Sequence, residues 1–540
     1  MTSSVAQPTA VKASWAPMVA LALAQVLMSF NVSALPISLS GMVDDFGVPP
    51  TAISTGIVTY GLVVAALVMT GAKLGQKFGW VLVFRVVIAV FAVAMLTMTF
   101  APSVGFMIAA QALAGASAAI IVPSLVALIA ENYHGEQQAT AVGSLGSARA
   151  ASGVSAFLIG GVLATYVSWR PIFGILVVLA AVVFILSFRL RSAPGSKDVK
   201  IDAVGAVLIG AAVVSLTLGF NNLNGWGVLA AEPGAPNVFG LSLAPVLVVA
   251  GVILGQGFLV WTRRRTRDGR TPLISLTVIG SKKERAAVYA LFIIVGLEAS
   301  LNFTIPLYIQ IVQGRTPLAT SVAMLPFNLT VFFSALLVVR FYKRFSTRVI
   351  ARTAFILTTV ALLWLSFVVT NNWETVPTIL GLIVFGIGQG ALVTLLFNVL
   401  VTSSPKELAG DVGSLRGVTQ NLASAVGTAL AGAMLVTLLG VGVTQALAGS
   451  SELPAAIQQE AGLDRINFVS NPRLREVLEG TSATPSQVDK AVQINTDARL
   501  SALRIGLVVL AAISALAIVP VGRLPRYRPG EIPDPSTVDE

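Results

Sequence analysis

The stretch "AAQALAGASAAIIVPSLVALIAENY" (109–133) holds no charged residue before Glu131. Extended back to Val104 it is an uninterrupted apolar run, longer than the ~20 residues a helix needs to cross a ~30 Å hydrocarbon core. Gly115, Ala116, Ser117 and Ala118 form a patch small enough for a second helix to press against, as buried faces of membrane helices require. Thirteen further runs follow the same plan. The fourteen cover residues 15–37, 51–72, 81–101, 104–130, 138–166, 170–189, 202–223, 242–262, 286–310, 318–340, 348–369, 375–400, 410–441 and 501–522. The whole chain agrees: of 540 residues 55% are hydrophobic and 11% charged, against about a quarter charged in soluble domains. The runs are continuous rather than alternating, which excludes a β-barrel. The sequence encodes an all-α integral membrane protein.

Charge sets the expected topology. Lys and Arg collect in "RLRSAPGSKDVK" (189–200), "RRRTRDGR" (263–270), "KKER" (282–285), "RFYKRFSTR" (340–348) and at Arg523, Arg526 and Arg528, while the short connections on the other side carry only Arg170 and Arg315. The positive-inside rule then places both termini in the cytoplasm of a multi-pass plasma-membrane protein. The net charge of +11 is accounted for by these loops and needs no nucleic acid. The first run is too long for a signal-peptide core and lacks a small-residue cleavage site, so it reads as a retained helix. The expected organisation is a tail (1–14), a six-helix unit (15–190), two inserted helices (202–262), helices nine to thirteen (286–441), an external segment (442–500), a last helix (501–522) and a tail (523–540). Within the external segment, "TPSQVDKAVQINTDARLSALR" (484–504) reads as a helix capped by Ser486 that runs into the last span. The segment is either a solvated loop or a lid or partner-binding cap.

Several stretches together resemble the major facilitator superfamily, in particular its fourteen-helix drug:proton antiporter branch. They are "NVSALPISLSGMVDDFGV" (31–48), "GAKLGQKFG" (71–79), the stretch 109–133, "GGVLATYVSWRPIF" (160–173), "IPLYIQIVQGRTPLATSVAMLP" (305–326) and "FGIGQGALVTLLFNVLVTSSPKELAGDVGSLRGVTQNLASAVGTALAG" (385–432). The resemblance implies two six-helix bundles around a central cavity, two helices inserted between them, and alternating access by rocking of the bundles. It also exposes departures. The acidic residue usual in the first helix is Leu27, the Asp-Arg of the loop after the second helix is Gln76-Lys77, the Arg of the fourth helix is Gln111, and the Gly-Pro of the fifth is Ala156-Phe157. Gln76, Lys77, Asp411 and Arg416 remain as gate residues, with Lys77 expected on helix-end carbonyls.

Two charges sit deep in the runs, Arg149 and Glu298. Each lies about 16–20 Å along its helix from the basic side, so they share a depth in opposite bundles. Burial disfavours a charged carboxylate and a neighbouring guanidinium favours it. A Glu–Arg pair that forms and breaks would therefore carry a proton, and one that stays closed would only fix packing. Asn31, Gln111, Asn302, Gln310, Asn328, Gln389 and Asn398 are amides able to line a cavity or tie helices together. The chain has no Cys and one His, His134, in a basic-side loop, which excludes disulfides, thiolate or His-rich metal sites and a His relay. No Walker loop, HExxH or nucleophile elbow occurs, so neither a cofactor nor an enzyme is expected. The functions left are a monomeric secondary exporter of lipophilic molecules coupled to protons, a translocase of lipids or lipid conjugates with little or no proton coupling, and a transport-inactive scaffold or sensor.

Overall fold

A computed structural model describes residues 14–48, 50–191, 193–196, 199–309, 317–370, 372–373, 375–402, 408–448, 471–481, 483–526 and 528. In chain order its long helices are α1 (Ala16–Ile37), α2 (Pro50–Phe78), α3 (Trp80–Thr99), α4 (Val104–Asn132) and α5 (Gly135–Ser155), the last continued by a π-helical turn, Ala156–Gly160, and by Gly161–Tyr166. They continue as α6 (Arg170–Leu186), α7 (Ala203–Trp226), α8 (Leu243–Arg267), α9 (Lys282–Leu307) and α10 (Pro317–Phe341). The last four are α11 (Thr347–Val368), α12 (Val376–Thr402), α13 (Ala409–Ala448) and α14 (Pro485–Leu516). Thirteen helices among the described residues are long and apolar enough to cross a membrane. The fourteenth expected run falls in α13, whose 40 residues span about 60 Å, twice a hydrocarbon core.

Local chemistry starts several of these helices where they begin. Asp202 accepts the Gly205 amide and caps α7, Ser242 accepts the Ala244 amide at α8, and Ser281 with Glu284 forms a capping box at α9. The cap of α14 is Thr484, in a capping box with Gln487, rather than the expected Ser486. Pro485 fills the first helical position, where its missing N–H is no loss, and this moves the start ahead of Ser486.

Helices α1–α6 pack into one bundle and α9–α14 into a second. Close approaches are bought with missing side chains. A Cβ on Gly115 would sit 2.7 Å from the Tyr60 carbonyl oxygen, and Gly386 of α12 faces the Phe327 carbonyl of α10 at 2.9 Å. In the second bundle Gly427 of α13 lies directly on the backbone of Gly296 in α9. Helices α7 and α8 pair with each other, and α7 packs against both α2 and α13, so the inserted pair straddles the seam between bundles. Asp202 stitches that pair, accepting from Trp261 Nε1 at 3.0 Å. A two-stranded ribbon, β1 (Asn237–Val238) and β2 (Leu241–Ser242), closes their connection.

Residues 14–15 and 523–526 lie on one side, with the basic connections. Tyr133 at the end of α4 donates to the Ser14 carbonyl, and Arg348 donates to the Leu524 carbonyl. On the far side Arg170 at the start of α6 binds Asp45 at 2.7 Å and the carbonyls of Thr99 and Ala101, locking the tips of the first bundle. There too α13 and α14 run on beyond the other helices. A short helix, Asn471–Glu479, packs Leu474 and Leu478 on Val488 and Ala491 of α14, held by an Arg475–Asp489 ion pair at 2.7 Å. The expected helix at 484–504 is thus continuous with the last span.

The two kinds of glycine respond differently to one methyl group. Gly115→Ala drives a Cβ into the α2 backbone and should cost about 1–3 kcal/mol. Gly255, in α8, has nothing within 4 Å of its would-be Cβ, so Gly255→Ala should hold or raise stability by about 0.5–1 kcal/mol. Thermal unfolding of the two purified variants distinguishes them by the sign of the change in Tm.

Candidate functional site

The seam between bundles is closed on the basic side by a buried carboxylate. Asp411, in the first turn of α13, receives Lys73 Nζ at 3.3 Å and Gln76 Nε2 at 3.2 Å on one oxygen, and the Ser275 amide at 2.8 Å on the other. Lys73 also donates to Gln76 Oε1 at 3.0 Å, which closes the ring of contacts. The side chains of Lys73 and Asp411 are 5% and 1% exposed. The helix ends suit these charges, since an anion is favoured at the start of α13 and a cation near the end of α2. Lys73 is not singled out by the sequence, because it lies one turn before the motif positions Gln76 and Lys77. The expected gate residue Lys77 instead lies 5.6 Å from the neighbouring Phe78 ring and, among the described residues, reaches no helix-end carbonyl.

Small residues let this contact form. Beside Asp411, Cβ atoms on Gly410, Gly413 and Gly417 would lie 2.6–2.9 Å from Trp80, Pro123 and Val68, and Ser414 donates to the Val68 carbonyl. The other half of the seam is alike: Gly143 and Gly146 of α5 abut Val339 and Thr394. Residues 123–130, 388–401 and 409–414, the basic-side ends of α4, α12 and the start of α13, are all buried. Among the described residues, that side is sealed.

Deeper in, Arg149 of α5 and Glu298 of α9 meet across the seam. Arg149 donates to Glu298 Oε1 at 3.5 Å, and Gln389 of α12 donates to Oε2 at 2.6 Å. The two charges stand about 21 and 24 Å along their helices from the basic side. The pair is not dry, with Arg149 36% and Glu298 15% exposed. Asn302, one turn farther along α9, is exposed, so access to the pair grows toward the far side. Arg416 is buried on the inner side of the pair, 3.9 Å from the centre of the Phe397 ring and within electrostatic reach of Arg149. It belongs with the deep charges rather than with the Asp411 latch. The deep site thus combines two guanidiniums and one carboxylate.

The remaining amides are dispersed. Asn31 and Gln111 are fully buried and bonded to each other at 3.0 Å, tying α1 to α4 instead of facing open space. Asn328 donates to its own helix at the Met324 carbonyl, near Gly153 of α5. Asn398 is fully buried near the sealed end, beside the hydroxyl of Tyr342. Gln310 falls outside the described residues. Leu27 is fully buried in the core. Where the sequence lacks the Gly-Pro of the fifth helix, the structure has the π-helical turn Ala156–Gly160, two turns beyond Arg149. Irregular turns of this kind recur at functional sites.

Known proteins resemble this chain in sequence and in fold. The family model described as Major Facilitator Superfamily matches residues 21–428. The chain is 24% identical to the tetracenomycin C resistance and export protein of Streptomyces glaucescens, over 79% of this chain and 77% of that one. It is 26% identical to the multidrug efflux pump LfrA of Mycolicibacterium smegmatis (78% and 80% covered). With the cephamycin export protein CmcT of Amycolatopsis lactamdurans it shares 27% identity (78% and 84% covered). Among solved structures, the human organic anion transporter MFSD10 superposes with a TM-score of 0.56 at 12% identity, covering 94% of this chain and 99% of that one. The proton:xylose symporter XylE superposes with a TM-score of 0.57 at 9% identity, covering 96% and 98%. These two likenesses speak for the fold.

Removing one partner of the Lys73–Asp411 pair strands a buried charge. Lys73→Ala and Asp411→Ala should each cost about 3–5 kcal/mol, and the double variant less than their sum. Gln76→Asp would set a second carboxylate beside Asp411 and open the basic side, and Gln76→Asp with Asp411→Asn should close it again. Thermal unfolding, together with basic-side labelling of a cysteine at Ser414, reads both effects. Equal labelling in all variants would remove Asp411 from the gate.

Proposed function

The chain belongs to the major facilitator superfamily, and we propose that it is a secondary active exporter of lipophilic small molecules, working by alternating access in the plasma membrane and coupled to protons at Glu298. The observation that carries this is the Arg149–Glu298 contact between bundles, open toward one side while the other is sealed. The export activities named for the relatives support the direction of transport. With the basic side cytoplasmic, as the charge asymmetry requires, the Asp411 latch is the closed inner gate and Glu298 faces the outer medium.

The cycle follows from these contacts. A proton from outside neutralises Glu298, which then no longer attracts Arg149, and the tie between α5 and α9 slackens. The bundles, 15–190 and 286–522, rock and part at the Lys73–Gln76–Asp411 latch, with α7 and α8 spanning the seam throughout. Facing the cytoplasm, Glu298 loses its proton and the site admits substrate. Re-forming the Arg149–Glu298 pair draws α5 and α9 together and returns the substrate to the outside. Two guanidiniums against one carboxylate leave the site with a net positive charge, so neutral or anionic lipophilic molecules suit it better than cations.

Two measurements test this. In proteoliposomes, Glu298→Gln should transport without response to an imposed proton gradient, and Arg149→Ala should impair flux more than Arg149→Ala/Glu298→Gln, which leaves no stranded charge. A gradient response retained in Glu298→Gln would end the coupling role. For topology, the cysteine-free chain accepts single probes. Glu479→Cys should react with an impermeant thiol reagent on intact cells, and Arg267→Cys only after permeabilisation. The reverse pattern would invert the transporter.

A further inference from the structure

A second polar site lies on the basic side, away from the seam. Lys282, Arg285, Ala286 and Tyr289 of α9 face Pro520 and Arg523 beyond α14 across a concavity of about 320 Å³. Arg352 of α11 reaches the same edge, since a Cβ on Gly522 would sit 3.3 Å from its guanidinium. Arg526 and Arg348 stand within electrostatic reach of Arg352 or of each other. None of Lys282, Arg285, Arg352, Arg523 and Arg526 forms an ion pair with a described residue. The acidic side chain of this turn, Glu284, is buried and spent on the Ser281 amide in the capping box of α9. Such a density of like charge is unfavourable unless an anion is shared among them.

The shape of the concavity limits which anion. Its rim is cationic, but Tyr289 lies two turns along α9 from Lys282, about 10 Å into the bilayer-crossing part of the helix, and is 63% exposed. Leu516 and Val519, on the stretch that leads to Pro520 and Arg523, are exposed large apolar residues. A free phosphate would engage the rim and leave Tyr289 and the adjoining apolar surface uncovered. We infer that the groove between α9 and the end of α14 binds the headgroup phosphate of an anionic phospholipid from the adjoining leaflet, with its acyl chains along Tyr289 and Leu516. Basic pockets between membrane helices suit that chemistry. The site lies at the start of α9, the helix that carries Glu298, so the lipid's charge is held on an element that must move when the bundles rock.

The test uses the full-length protein in a neutral detergent, with bound lipid resolved by native mass spectrometry. Wild type should bind phosphatidylglycerol at least tenfold more tightly than phosphatidylcholine, a preference that falls with added salt. Lys282→Gln alone should weaken it about fivefold, and Lys282→Gln/Arg285→Gln/Arg523→Gln should abolish the preference. Lys282→Arg/Arg285→Lys/Arg523→Lys, which keeps the charge, should retain it and guards against a folding artefact. No preference in wild type, or an undiminished one in the triple Gln variant, overturns the assignment. Displacement of phosphatidylglycerol by an equal concentration of inorganic phosphate would assign the rim to a free anion instead. Binding seen only after deletion of residues 529–540, which carry Glu531, Asp534, Asp539 and Glu540, would give the groove to the chain's own acidic tail.

Discussion

Asp411, on α13 of the second bundle, is one carboxylate with three donors, two from α2 of the first bundle and one from the connection between α8 and α9. Its burial removes water as an alternative partner, so the donors must be in place together or the charge is left bare. This makes the basic side of the protein two-state in character. A partial opening would lose Lys73, Gln76 or the Ser275 amide without yet gaining solvent. The glycines around Asp411 sharpen the effect, because backbones in van der Waals contact have no slack through which to drift apart. Everything farther in, including the partly wetted Arg149–Glu298 pair, depends on this end being shut.

The deep pair is built on a different principle. It is exposed on one side, its ionic distance is long, and Gln389 supplies the shorter bond to the carboxylate. An amide donor holds Glu298 in position whether or not Arg149 stays, since it does not depend on a counter-charge. The carboxylate is therefore held by two partners of different kind, one charged and one neutral. The position usual for this role in the family's first helix is taken by Leu27, packed in the core. Where the resemblance expects an Arg in α4, Gln111 pairs with Asn31, and the acid–cation contact of this chain joins α9 to α5.

Much of this was legible in the sequence for a local reason. A membrane helix is encoded by its own residues, so the fourteen runs fall on fourteen long helices, thirteen of which are long and apolar enough among the described residues to cross a membrane, and two charges at similar depth in opposite bundles touch. What depends on partners was less legible. Periodicity does not say that Asn31 will spend its amide on Gln111, or that Lys73 and not Lys77 faces α13. Those outcomes follow from how α2 and α4 are rotated against the second bundle, which is set by the packing of residues such as Gly115, Gly413 and Gly417. The cap of α14 shows the same limit on a smaller scale, for Ser486 and Thr484 are both good capping residues and Pro485 between them decides.

The π-helical turn in α5 has a consequence for what chain lengths the fold can accept. Such a turn is an α-helix with one residue more than its length calls for, and that residue rotates all that follows by about 100°. Before the turn, α5 presents Gly143, Gly146 and Arg149 to the second bundle. After it, Gly160 faces Ile37 and Gly161 faces Leu318. Deleting any single residue from 156–160 would restore a regular helix and turn the far half of α5 away from both neighbours, although every side chain there would be unchanged. In this stretch the protein is constrained by the count of its residues more than by their identity.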